Sequence, residues 1–328
     1  MAEKKSKCYS GIGGQAVLEG IMMKNKDKYA VAVRKPDGEI AVDVEEYTSD
    51  VKFEKARKIP FVRGIFNFVD SLVLGMKCLN YSASFYEEET DKPVNPKKEQ
   101  LISTFVTILS VVLAVGLFIV LPYYISTLCK EYVRNDSLMA IIEGVVRLGI
   151  FLLYVVGISL MKDIRRLYSY HGAEHKCINC IERGRPLTVD DVMRSSRLHK
   201  RCGTSFIFFV MIVSIILFFF IRVNNPVQRV VLRILLLPVV AGISYEIISL
   251  AGKSDNILVK IISAPGMLIQ RLTTKEPDAS MVEVAIVAVE AVYDWKKFLN
   301  ENYGYEYTAG PEKDAEPVED GEESGEEA

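Results

Sequence analysis

Apolar residues in this chain are pooled into long runs instead of recurring at helix or strand spacing. Residues 101–128 (LISTFVTILSVVLAVGLFIVLPYYISTL) carry no charge. A helix needs about 20 apolar residues to cross ~30 Å of hydrocarbon. This run therefore predicts a first transmembrane helix, with Pro122 near its far end. A second span is predicted over 137–161, interrupted by Glu143 and Arg147 alone. A third runs from Cys202 to Ile221, and a fourth covers about 230–252 with Arg233 and Glu246 inside it. One such run fits a buried helix of a soluble protein; four in one chain do not.

The remaining segments are patterned differently. The glycine-rich opening GIGGQAVLEGIMMKN is followed by YAVAVRK, the turn PDG and EIAVDVEEYT, which alternate as a β-hairpin within residues 1–58. Two strands alone are not stable, so the hairpin must pack on something. Residues 59–85 read as an apolar helix with isolated charges at Arg63, Asp70 and Lys77. An interfacial helix is the prediction; a fifth span is the alternative and would reverse one terminus. Segment 253–305 holds a second amphipathic stretch, ILVKIISAPGMLIQRL, and a run over 281–299 whose alternating start allows a strand but whose alanines favour a helix. Residues 306–328 form an acidic tail that composition predicts to be disordered. The expected fold class is thus an α-helical polytopic membrane protein. It has about four transmembrane helices (101–161 and 205–252), interfacial helices, a small N-terminal β-hairpin and a His/Cys loop over 162–204.

Charge fixes an expected orientation. The formal net charge is −2, from 40 basic and 42 acidic residues. Residues 311–328 hold nine acidic residues and one lysine, so the rest of the chain carries +6. Ten of its basic residues crowd the loop 162–204, against Lys130 and Arg134, or Arg222 and Arg229, in the other connections. Basic short loops stay cytoplasmic. That places the middle loop and both termini in the cytoplasm of a multi-pass protein of a bacterial cytoplasmic membrane, with the lipid bilayer as its first partner. The first twenty residues lack the apolar core of a signal peptide. Five of the six cysteines then face the cytoplasm, where free or metal-bound thiols are expected. Nucleic-acid binding has no support beyond loop charge, and no phosphate-binding glycine loop with its lysine is present.

All three histidines, His171, His175 and His199, fall in this loop, with Cys177, Cys180 and Cys202. His171-Gly172-Ala173-Glu174-His175 is an H-x-x-E-H pattern. On a helix, histidines at i and i+4 share a face and can bind one ion. Glu174 beside them is the candidate general base, acting on water that the ion activates, as in inverted zinc-protease motifs. Gly172 weakens the helix expectation. Two ligand sets compete for a divalent metal, zinc in the first instance. An open, catalytic set joins His171 and His175 to His199 or Cys202. A closed, structural set pairs Cys177-x-x-Cys180 with His199-x-x-Cys202 across eighteen residues, and spacing alone slightly favours it. A third possibility is that the histidines only bridge headgroups or acidic partners. Glu246, at the cytoplasmic end of its span, is a candidate late ligand or orienting group; a salt bridge to Arg165, Arg166 or Lys253 is its structural alternative. Glu143 and Arg147 are expected to neutralise each other within the second span, with Arg233 as a third member.

Seven separated blocks are recognisable in order: GGQAVLEGIMMKN (13–25), RGIFNFVDSLVLGMK (63–77), EGVVRLGIFLLY (143–154), MKDIRRLYSYHGAEHK (161–176), HKRCGTSF (199–206), AGISYEI (241–247) and QRLTTKEPDASMVEVAI (270–286). They resemble the YqhQ family, bacterial membrane proteins of unknown function labelled as predicted metal-dependent enzymes. The resemblance implies that His171, Glu174, His175, His199, Cys202 and Glu246 belong to the shared pattern, while Cys177 and Cys180 lie in a variable stretch. It shifts the choice toward His171, His175 and His199 or Cys202, and draws attention to Glu19 and Arg63 as groups that could approach the same site. Three functions follow as expectations: a membrane metal-dependent hydrolase acting on membrane-level peptides or lipid headgroups, a partner-docking scaffold with structural zinc, and, least favoured, a transporter component.

Overall fold

The computed structural model describes residues 8–47, 55–86, 96–221, 225–253 and 256–307. The acidic tail lies almost wholly outside them. The N-terminal segment is a four-stranded antiparallel meander, not a lone hairpin. Its strands are β1 (Gly13–Val17), β2 (Gly20–Asn25), β3 (Lys28–Arg34) and β4 (Ile40–Glu46), in the order β1-β2-β3-β4. The expected hairpin is β3–β4 around the Pro-Asp-Gly turn. The two glycine-rich strands before it escape alternation because the centre of the sheet is covered on both faces.

Eleven helices follow among the described residues: α1 (Val62–Ser84), α2 (Pro96–Val115), α3 (Leu121–Thr127), α4 (Asp136–Ile158), α5 (Lys162–Glu182), α6 (Val189–Met193), α7 (Gly203–Phe220), α8 (Pro226–Lys253), α9 (Ile257–Thr273), α10 (Ala279–Glu290) and α11 (Trp295–Tyr303). The middle loop is therefore largely helical. One sheet face, with Ile12, Ile21, Met23 and Ala32, packs on Tyr170, Ala173 and Cys177 of α5 and on Val282, Ala285 and Ala288 of α10. The other face, with Val17, Met22, Val31 and Val33, packs on Leu74 and Cys78 of α1.

Four segments are long and apolar enough to cross a membrane: Thr104–Thr127, Ser137–Ile158, Gly203–Phe220 and Val230–Ala251. The first runs from α2 through a π-helical turn at Gly116–Val120 into α3. Their outward surface is apolar, with Phe105, Ile108 and Val112 exposed on α2 and Leu235 and Val239 on α8, which is consistent with a membrane protein. Inside, Glu143 accepts from Arg147 on the same helix at 2.9 Å and from Arg233 of α8 at 2.6 Å, while Arg147 reaches Ser214 of α7 at 3.3 Å. This buried cluster ties three of the four segments together.

α1 links the sheet to the bundle. Its start lies so close to α8 that a Cβ at Gly64 would sit 2.7 Å from Tyr245 Cβ, and one at Gly242 would sit 2.5 Å from the Phe61 carbonyl. Arg63 then grips Glu246 with two bonds, 2.7 and 2.5 Å, and Phe61 N–H donates to the same carboxylate at 3.2 Å.

Candidate metal centre

Helix α5 carries His171, Glu174 and His175 through Gly172 without a break. The reason lies opposite the glycine. A Cβ there would come 2.1 Å from the Lys275 carbonyl oxygen, so Gly172 lets the segment after α9 cross α5 in contact with its backbone. Lys275 N–H donates to the Tyr168 carbonyl at 2.9 Å and pins that crossing. The helix-propensity cost of glycine, about 1 kcal/mol, is the condition for bringing the end of α9 to the histidines.

The crossing orients His171. Its Nδ1 lies 3.0 Å from the Thr273 carbonyl at the end of α9. A carbonyl only accepts, so Nδ1 carries a proton and Nε2 is the atom turned toward Cys202. His175 repeats the arrangement, with Nδ1 2.7 Å from the Arg197 carbonyl. Ligand histidines are oriented in this way by a carbonyl or carboxylate behind the ring. The Arg197 loop is itself held by α5: Lys176 donates to the Met193 carbonyl at 2.8 Å, and Asn179 to those of Ser196 and Leu198 at 2.7 and 3.0 Å.

Cys202 supplies the third donor. It caps the N-terminus of α7, accepting from Thr204 N–H at 3.4 Å, and its Sγ lies 3.1 Å from His171 Nε2. The ligand atoms of His171, His175 and Cys202 all fall within 4.8 Å of one another, the one such group among the described residues. Burial disfavours the Cys202 thiolate, but the charges of His171 and His175 outweigh it and hold the thiol well below its usual range. Burial likewise opposes charging of His171, and the Cys202 sulfur beside it carries its pKa up to about 9. Two imidazole rings whose Nε2 atoms converge on one thiol, once the ion has displaced the proton that His171 and Cys202 share, are the donor set a soft-to-borderline cation selects.

Glu174 sits behind this group. Its Oε2 is 3.9 Å from both Nε2 atoms. Burial pushes its carboxyl above the ordinary range, while the two histidines and the Gly14 N–H of β1 pull the other way. Gly14 has to be small: a Cβ would lie 2.5 Å from Met23 Sδ and 3.0 Å from Glu174 Cγ. The glycine-rich opening is, from Gly13 onward, the strand that carries this contact.

The other candidates are not brought into the group. His199 is turned away: its Nε2 faces Glu182 at 3.3 Å, and Gln270 of α9 fixes its backbone through bonds of 2.9 and 2.6 Å. Burial drives its pKa down to about 4, so it is held neutral beside a carboxylate that Arg201 also binds at 2.5 Å. The closed set through Cys177 and Cys180 is not assembled. Cys177 belongs to the core under the sheet, and Cys180 points its thiol at the Pro186 carbonyl, 3.2 Å away. Glu246 is held by Arg63 and by the Phe61 N–H and is not part of the three-donor group. Glu19 accepts from Arg166 at 2.6 Å and from Tyr170 at 3.1 Å. Glu182 was missed by sequence reasoning, although it shares a helical face with His171 and His175 at offsets of eleven and seven.

Comparison with known proteins places this geometry in a family. Residues 59–295 match the family model described as a protein of unknown function (DUF1385). The chain is 36% identical over 293 residues to "Uncharacterized protein YqhQ" of Bacillus subtilis (strain 168), covering 86% of this chain and 92% of the relative. No solved structure matches.

Proposed function

The chain belongs to the DUF1385 family and is a YqhQ-type protein, and on that footing we propose that it is a membrane metalloprotein whose His171, His175 and Cys202 bind one zinc ion at the cytoplasmic membrane face for hydrolysis. The observation that carries this reading is the paired Nδ1–H···O=C anchoring of two histidines whose Nε2 atoms converge on a thiol. Structural zinc sites are closed by four protein donors, whereas catalytic ones use three and leave a position open. Three donors gather here, which favours catalysis over the scaffold reading. The bound ion would supply Lewis acidity, lowering the pKa of water and polarising the scissile group.

The protein's own residues do the rest. The Thr273 and Arg197 carbonyls fix the tautomer and direction of the histidines. Glu174, in its carboxylate form, takes the proton of the attacking water and returns it to the leaving group, and burial makes it the stronger base by raising its pKa. Water adds across the bond, so no oxidant or reductant is needed. The ten basic residues over 162–204 favour the cytoplasmic side for this site and for both termini, and the exposed apolar faces of α1 and α9, including Leu72, Val73, Ile261 and Leu268, suit helices lying at the interface.

Glu174→Gln tests the assignment. It should retain zinc and fold while hydrolysis of quenched-fluorescent peptides or of phospholipid falls by at least about 100-fold, the low end for loss of a general base. Turnover equal to that of the unsubstituted protein would remove Glu174 from the reaction.

A further inference from the structure

β1 is an edge strand: among the described residues it pairs with β2 and with no other strand. The two-residue turn Leu18-Glu19 closes the pair Val17↔Gly20, so hydrogen-bonded pairs recur at Gln15↔Met22 and Gly13↔Lys24. Gly14 and Ala16, in between, direct N–H and C=O away from β2. The buried Glu174 side chain packs against this strand, its Cγ 3.0 Å from where a Gly14 Cβ would stand. Gly13 and Gly14 are exposed and Ala16 is half-buried. At Gly13 a Cβ would meet nothing within 4 Å, and the same holds at exposed Gly203, next to Cys202. The fold itself does not require a bare backbone at either position, yet both flank the metal centre.

We propose that β1 is the docking edge for an extended polypeptide, which joins the sheet as a fifth strand and so runs past Glu174 and the His171–His175–Cys202 group. This rests on the hydrolase reading and names its substrate class. The outward groups left at the margin are the Gly14 carbonyl and the Ala16 N–H and carbonyl, two acceptors and a donor at strand spacing. Another main chain complements that row. A phosphodiester headgroup, which brings acceptors, does not satisfy its two carbonyls. A strand added to an edge lies about 4.8 Å away, close to the carboxylate that packs against Gly14, and main-chain pairing of this kind tolerates many side-chain sequences.

The test is hydrogen–deuterium exchange on the full-length protein in detergent, with β-casein as an unfolded polypeptide probe. Casein should slow exchange over residues 14–17 and leave the opposite edge, β4, unchanged. Protection of β4 in place of β1, no protection of β1, or equal protection by phosphatidylglycerol vesicles without casein would each overturn the proposal. Ala16→Pro removes the outward N–H but no ladder bond to β2. It should weaken casein binding roughly 10-fold or more, the effect of about one lost backbone bond, with zinc content unchanged. Undiminished binding by Ala16→Pro would also overturn it. If casein protects β1 but the protein holds no zinc and hydrolyses nothing, the hydrolase reading fails and the docking edge stands; zinc and turnover without β1 protection give the reverse.

Discussion

Replacing Glu143 with leucine is expected to destabilise the protein by about 3–5 kcal/mol, the cost of removing one partner from a buried charged group. Arg147 and Arg233 share this single carboxylate between α4 and α8. Once it is gone, Arg147 keeps a 3.3 Å bond to Ser214 and the face of Phe218 at 6.0 Å, and Arg233 keeps the faces of Phe218 and Tyr123 at 5.1 and 5.9 Å. Neither replaces a counter-charge in a medium that water does not enter. Arg233→Leu should cost distinctly less, because it removes the surplus charge and leaves the Glu143–Arg147 pair intact. Unfolding in mixed micelles titrated with dodecyl sulfate measures both. Equal losses, or none for Glu143→Leu, would mean that the cluster does not hold the helices together.

The second large effect is expected at Gly172. An alanine there must push the Lys275 carbonyl from 2.1 Å to ordinary contact, and the displaced atoms are backbone, which cannot swing aside like a side-chain end. Overpacking of this kind costs about 1–3 kcal/mol. The local consequence is larger, because the same segment carries the Thr273 carbonyl behind His171 and the Thr274 carbonyl that Arg197 binds at 2.6 Å. Losing the group behind a ligand histidine lowers metal affinity by about 10–100-fold. Gly172→Ala should therefore weaken zinc binding by that factor in a competition titration with a chromophoric chelator, although alanine is the better helix former. Tighter or unchanged binding would show that the crossing does not orient His171.

Much of this fold was legible because its strongest signal is composition. The apolar runs predict the four long helices almost to their ends, since length and lack of charge mark them without any periodicity. β3 and β4 were legible through their turn. β1 and β2 were not, because β2 is buried on both faces and β1 owes its glycines to Glu174 and an open edge. The H-x-x-E-H pair was legible from its spacing, and the glycine that counted against the helix is explained by a chain segment a hundred residues away. The choice of Cys202 over His199 was not legible, since it depends on how the loop before α7 folds back onto α5 and Gln270. The exclusion of Cys177 and Cys180 could have been reasoned out. At about 100° per residue, Cys177 lies roughly 200° around the helix from His175, so a C-x2-C on this helix faces the sheet. For Glu246 the salt-bridge alternative holds in kind, but its partner was not legible, because Arg63 stands 183 residues earlier in the chain.

The claim on which the account depends is the identity of the three donors. Zinc-edge X-ray absorption on the purified full-length protein addresses it directly. The account predicts one zinc per chain, with two nitrogens at about 2.0–2.1 Å, one sulfur at about 2.3 Å and a remaining light-atom ligand, and loss of the sulfur shell in Cys202→Ser. A protein that binds no stoichiometric zinc, or a shell with two or more sulfurs, would contradict it.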